Sequence, residues 1–219
     1  MITFEDIKNN NDINTYIRKA DESLIALGYT EHSFAHVCRV ADSARYILET
    51  MGYSERMTEL AQIAGYIHDI GNIVNRVDHA QSGAIMSFRI LDKLNMAPDE
   101  IATIITAIGN HDEGTAQAVN PIAAALILGD KTDVRRSRVR NKDITSFDIH
   151  DRVNYAVEKS EIKINSDKTK IALRLKIDTD ICSVMDYFEI FLGRMTLCRK
   201  AAEKLGLTFT LIVNGRKLL

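Results

Sequence analysis

Apolar side chains recur at helical spacing through most of the first 131 residues, and only two prolines, Pro98 and Pro121, occur in the whole chain. Proline removes a backbone donor and breaks helix interiors, so long stretches here are free to be helical. Residues 31–51 place Val37, Val40, Ala41, Ala44, Ile47 and Leu48 on one stripe, closed by Gly52. Ser54 is placed to cap the next helix, whose stripe runs Met57, Leu60, Ala61, Ala64 and Ile67 and ends at Gly71. Gly83, Met86, Ile90 and Leu94 mark a helix over 79–95. Pro98 and Pro121 each sit well at a helix start, followed by apolar runs. Helices over about 12–27 and 149–159 complete an all-helical block.

From about residue 160 the period changes. Ile162, Ile164, Ile171, Leu173, Leu175 and Ile177 alternate, with the turn residues Asn165, Ser166, Asp167 and Lys168 between the two runs. This predicts a β-hairpin. A helix follows over 179–205, stopped by Gly206, and LTFTLIVNG reads as a third strand. The expected fold class is therefore mainly α: a helical block over 1–159 and a small C-terminal β-β-α-β unit over 160–219. Such a sheet has open edges that commonly pair or are covered. A homodimer built on this unit is the corresponding expectation.

Composition narrows the partners. A formal net charge of −2 gives no sign of a nucleic-acid or membrane surface. No apolar run approaches the roughly 20 residues that span a bilayer. The opening MITFEDIKNN has neither a basic nor an apolar leader region, and Cys38, Cys182 and Cys198 form no CxxC pair. A reducing, cytoplasmic setting is the expectation.

The polar residues that fall on the apolar stripes carry the chemistry. His36 lies four before Val40, and His68 continues the stripe through Ala64, with Asp69 beside it. His79 precedes Gly83, Met86 and Ile90 at helical spacing; His111 lies three after Ile108, and Asp130 four after Leu126. A single histidine on such a stripe is ordinarily a hydrogen-bonded core residue. Five segments each aiming such a group inward is a different case, because each polar group buried without a partner costs on the order of 2–7 kcal/mol. A buried cation would partner all of them. Mixed imidazole and carboxylate donors favour Fe, Mn, Co, Ni or Zn over Mg or Ca. Four imidazoles and two carboxylates exceed the needs of one tetrahedral ion and suit a pair sharing a carboxylate, a common device in phosphate-ester hydrolysis.

In order, His36, then His68-Asp69, then Asp130 resembles the H…HD…D signature of the HD-domain metal-dependent phosphohydrolase superfamily. The surroundings, HVCRVADSA, IHDIG and GDKTD, are similar too. His79 in DHAQSGA and His111 in AIGNHDEG resemble the two further histidines of its binuclear branch, which includes the bacterial HD-fold diadenosine-tetraphosphate hydrolases. The resemblance covers about residues 30–135 and implies an HD-domain helical bundle. It also implies one metal held by His36, His68, Asp69 and Asp130, and a second held by His79 and His111 with Asp69 bridging. A hydroxide between the ions would attack a phosphoester or phosphoanhydride of a small, nucleotide-like substrate. No GYP motif follows His111, which separates the chain from the HD-GYP phosphodiesterases. Asp112 stands where the diadenosine-tetraphosphate hydrolases carry a hydroxyl residue.

The other readings left open are a di-iron HD-domain oxygenase and a non-catalytic, metal-containing regulatory protein. His32, one turn before His36, competes for the first ligand position; the H-x-x-R-V context favours His36. Lys131, Arg135 and Arg136, just after the last ligand, are candidates for binding substrate phosphate, against the plainer role of cations at a helix end. Asp112 is a candidate proton relay, alone or with Glu113 as a partner behind the ligands. His150 has no motif support and is expected to be structural.

Overall fold

The computed structural model describes residues 1–218. Among these, nine α-helices and four strands occur, in the order α1 (Phe4–Lys8), α2 (Asn11–Ala26), α3 (Phe34–Met51), α4 (Glu55–Ile67), α5 (His79–Lys93), α6 (Pro98–Gly109), α7 (Pro121–Lys131), α8 (Ile149–Ala156), β1 (Val157–Ile164), β2 (Lys170–Ile177), α9 (Val184–Lys204), β3 (Thr208–Val213) and β4 (Arg216–Lys217). Mainly α is the fold class observed. No helix among the described residues is long and apolar enough to cross a membrane.

Local chemistry explains the helix ends. The Asn10 side chain accepts from the Asp12 and Ile13 amides at the start of α2, and Ser54 accepts from the Met57 amide at the start of α4. Pro98 and Pro121 stand in the first turns of α6 and α7. Gly52 closes α3 in the left-handed conformation, φ 84°. One end departs from expectation: α4 stops at Ile67 rather than at Gly71, and a 3-10 turn, Ile70–Ile73, follows. His68 and Asp69 therefore lie in the joint between helix types and not inside a helix.

Packing sets the spacing of this joint. Gly65 lets α4 approach α3 so closely that a Cβ there would lie 2.7 Å from the Ala41 Cα. The α3 stripe of Val37, Val40, Ala41, Ala44, Ile47 and Leu48 is fully buried against α4 and α7. Each such large apolar side chain contributes roughly 1.5–3 kcal/mol on burial.

The C-terminal sheet has the order β1-β2-β3-β4. The hairpin β1–β2 is antiparallel, β2–β3 is parallel across the α9 crossover, and β3–β4 is antiparallel. Boundaries shift from expectation, and α9 begins at Val184 rather than near residue 179. The strand begins at Val157, cutting α8 short at Ala156, and a fourth, two-residue strand follows a tight turn at Asn214-Gly215. The turn is the Asn-Gly kind that favours hairpins, with positive φ at both residues. One hydrophobic cluster runs from Phe4 to Val213, and α9 packs against α7.

Candidate metal centre

His36 is in the first turn of α3, His68 and Asp69 follow the last residue of α4, and His79 is the first residue of α5. His111 follows the end of α6, and Asp130 is the next-to-last residue of α7. Five helix ends thus meet at one place. Asp78, in the left-handed region at φ 59°, turns the chain so that α5 opens with His79. Gly71 keeps that opening in place: a Cβ there would lie 2.0 Å from the His79 carbonyl oxygen.

The four rings share one arrangement. His36 Nδ1 meets Asp133 Oδ2 at 2.8 Å, and His68 Nδ1 meets the Gly65 carbonyl at 2.8 Å. His79 Nδ1 meets the Arg76 carbonyl at 3.0 Å, and His111 Nδ1 the Ile108 carbonyl at 2.6 Å. Each partner is an acceptor only, so each Nδ1 carries the hydrogen and each Nε2 is left with a lone pair. All four Nε2 atoms point inward. Those of His36 and His68 are buried and have no hydrogen-bond partner among the described residues. Those of His79 and His111 face each other at 3.2 Å, lone pair to lone pair, and Arg76 Nη1 lies 3.4 Å from His79 Nε2. Leaving the His36 and His68 acceptors unsatisfied costs about 1–3 kcal/mol each. A cation would partner all four nitrogens at once.

Two carboxylates complete the set and divide it. Asp69 Oδ2 lies 3.7 Å from His36 Nε2 and 3.3 Å from His68 Nε2. Its other oxygen, Oδ1, lies 3.6 Å from His79 Nε2 and 3.9 Å from His111 Nε2. Asp130 Oδ1 lies 3.4 Å from His36 Nε2 and 3.9 Å from His68 Nε2. Two sets of donor atoms lie close enough to hold an ion: His36, His68 and Asp130, and His68, Asp69 and His111. The donors fit divalent transition ions.

Electrostatics matches the geometry. Burial opposes the charged forms of Asp69 and Asp130, but His68 beside the first and Lys131 beside the second outweigh it. Both carboxyls are held well below the usual range. Burial pushes His111 well below the ordinary imidazole value and lowers His79 too. It opposes charge on His68 as well, but there Asp69 wins and raises the pKa.

The other sequence candidates divide. Lys131 is buried, with Nζ 2.8 Å from Asp130 Oδ2. Asp112 reaches within 3.9 Å of His79 Nε2. Glu113 pairs instead with Arg194 of α9, and at 3.9 Å with Lys131. His32 donates its Nδ1 hydrogen to the Thr30 carbonyl at 2.7 Å and packs edge-on against His36, outside the donor cluster. Arg135 and Arg136 do not reach the centre. Arg135 is committed to Glu31 at 2.8 Å and Asp133 at 3.0 Å, and Arg136 stacks on Tyr155, donating to that residue's carbonyl. His150 is not structural in the expected sense: it is exposed and lines the cavity mouth.

That cavity, of ≈ 350 Å³, opens onto Asp69, His79 and Asp130. Sequence reasoning missed four contributors. Asp133, fully buried, holds His36 from behind. Asn72 donates to Asp69 Oδ1 at 2.9 Å. Arg138 and Arg194 line the wall. Asp133 was in view as the last residue of GDKTD, three after a ligand; Arg194 carries no local signal.

An uncharacterized protein of Methanocaldococcus jannaschii is 23% identical over 188 residues, covering 75% of this chain and 72% of its own length. A crystal structure described as a predicted HD superfamily hydrolase, from an uncultured Thermotogales bacterium, matches with a TM-score of 0.45 and 23% identity. The match covers 57% of this chain and 67% of that one. The family model of the HD domain matches residues 33–153, a span that contains all six inward-facing residues. The chain belongs to the HD-domain family.

Proposed function

We propose that this chain is a metal-dependent phosphohydrolase that cleaves a phosphoester or phosphoanhydride bond of a nucleotide-like substrate. The observation that carries the reading is the common orientation of the four imidazoles: every Nδ1 is spent on an acceptor, and every Nε2 is turned toward two carboxylates. His36, His68 and Asp130, with Asp69, would hold one divalent transition ion. His79 and His111, with Asp69, would hold a second. Fe, Mn, Co, Ni and Zn all suit these donors. Ions so held supply Lewis acidity and lower the pKa of bound water.

The chain's own groups do the rest. Asp69 offers one oxygen to each half of the site, and Asn72 fixes its orientation. Asp133 keeps the His36 hydrogen on Nδ1. Lys131 occupies the second oxygen of Asp130 and brings a positive charge beside the reacting phosphate. Asp112, partly exposed near His79, is placed to pass a proton between the site and solvent.

The test is elemental analysis of gently purified protein, followed by a phosphate-release screen across nucleotides with the retained metal. Release that requires the metal and is lost in Asp69→Asn is the expected result. Two irons, oxygen uptake with an organic substrate and no phosphate release under any divalent ion would overturn the reading in favour of an oxygenase.

A further inference from the structure

Four cations line the cavity above Asp69 and Asp130: Arg76, Lys131, Arg138 and Arg194. They come from four separate parts of the chain, and the last belongs to α9. Arg138 is 4% exposed, yet it lines the cavity. Its Nε donates to the Glu31 carbonyl at 2.9 Å and its Nη1 to the Asp133 carbonyl at 2.8 Å. No hydrogen bond among the described residues engages its Nη2.

Behind it, Asp133 and Glu31 face Arg135 and Arg138, and the half-exposed Arg39 also reaches Asp133. Lys131, also buried, pairs with Asp130 Oδ2 at 2.8 Å, while Asp130 Oδ1 faces the imidazoles and Glu113 lies 3.9 Å from Lys131. Arg76 stacks on Tyr29, and its Nη1 donates to Asn72 Oδ1 at 3.2 Å and lies 3.4 Å from His79 Nε2, with no carboxylate within ion-pair distance among the described residues. Arg194 is held over the Phe191 ring, 4.4 Å from its centroid, and steadied by Glu113.

Four cations around one cavity make a positive field that draws a polyanion. One phosphate at the metal pair does not need four of them. We infer that the substrate carries two or more phosphates, and that Arg194, with Arg138 and Arg76, binds the phosphate beyond the one attacked. The inference rests on the hydrolase reading and narrows its substrate class. It also makes the C-terminal unit part of the substrate site. Asp148 and Asp151 at the start of α8 line the same cavity and suit the hydroxyl- or amine-bearing part of such a molecule.

The experiment is titration calorimetry of the full chain, as purified and again after chelator treatment. The probes are inorganic imidodiphosphate, whose P–N–P link resists hydrolysis, and orthophosphate. Imidodiphosphate should bind at least about tenfold tighter, and Arg194→Met and Arg76→Met should each bring that ratio toward one. Arg199→Met, on the exposed side of α9, should keep it. Arg138→Met should act in the same direction; if it does not fold, the half-buried Arg194 and Arg76 variants still decide. A wild-type ratio near one, or a ratio untouched in Arg194→Met, overturns the inference. If the ratio and its dependence on Arg194 hold but no substrate releases phosphate, the hydrolase reading fails and the anion site stands. If phosphate is released and the ratio is one, only the anion site fails.

Discussion

At His36 the nitrogen that matters is Nε2, and Asp133 is what frees it. Asp133 takes the Nδ1 hydrogen and is itself held by Arg39, Arg135 and Arg138. Groups behind a metal ligand typically set about 10–100-fold in affinity. Asp133→Asn should therefore weaken metal binding by about that factor, read by competition with a chromophoric chelator. An unchanged affinity in the folded variant would refute the role. It should also destabilise, by about 3–5 kcal/mol, because buried guanidiniums lose their carboxylate. The pH dependence follows in sign. Burial opposes the Asp133 charge, but His36 and the guanidiniums outweigh it, so its folded pKa lies well below the ordinary 3.8. Its stabilisation is complete above that value and drains as pH falls below it. Acid melts between pH 4 and 2 should fall more steeply for the wild type than for Asp133→Asn. The six inward residues were legible because each combines a stripe position with a motif position. Asp133 was not, since its meaning depends on a histidine 97 positions away.

Among the elements, the short joint after α4 carries the most consequence. The α-to-3-10 change at His68-Asp69 points both side chains into the site, and Gly71 makes room for the start of α5. A methyl group at Gly71 meets backbone, at His79 and at Gly83, which cannot yield as a side-chain tip can. Gly71→Ala should cost about 1–3 kcal/mol by overpacking. In a chain of this size that is about 2–4 °C of melting temperature per kcal/mol. Because the displaced backbone is that of His79, it should also weaken metal binding. Gly65→Ala, pressing on Ala41, should destabilise similarly. A melt of either variant within 1 °C of the wild type would contradict the packing argument. Helix identities were legible from the 3.6 period, and their starts from Ser54, Pro98 and Pro121. The end of α4 was not, because a helix and a 3-10 turn share the same apolar pattern. The α8–β1 junction was equally hidden: Val153, Ala156 and Val157 are all buried at helical spacing, so the apolar pattern runs on past the end of the helix. The Asn214-Gly215 turn signal was there to be read, but its second strand is only two residues long.

For the molecule as a whole, the question is whether the C-terminal unit is an attachment or a wall. Its outer strand does not present a free edge along its length. The Ile164 amide donates to the Tyr46 hydroxyl of α3, the Ser160 carbonyl accepts from Arg39, and the Ser160 hydroxyl donates to the Thr132 carbonyl beside the metal centre. Charged side chains at Glu158, Lys159, Glu161 and Lys163 discourage pairing along the rest. Tyr187, Phe191, Met195, Leu197 and Cys198 of α9 are buried in the same hydrophobic cluster as α7. Baring the surface they cover removes roughly 1.5–3 kcal/mol for each large side chain. The total rivals the 5–15 kcal/mol that holds a typical domain together. A chain cut after residue 156 should therefore show no cooperative melt, although it retains all six inward residues and the whole family-matched span. Co-expression with residues 157–219 should restore the transition. A truncated chain that melts cooperatively and keeps its metal would show that the HD domain stands alone, and that α9 adds residues to the cavity without holding up the helices that carry the ligands.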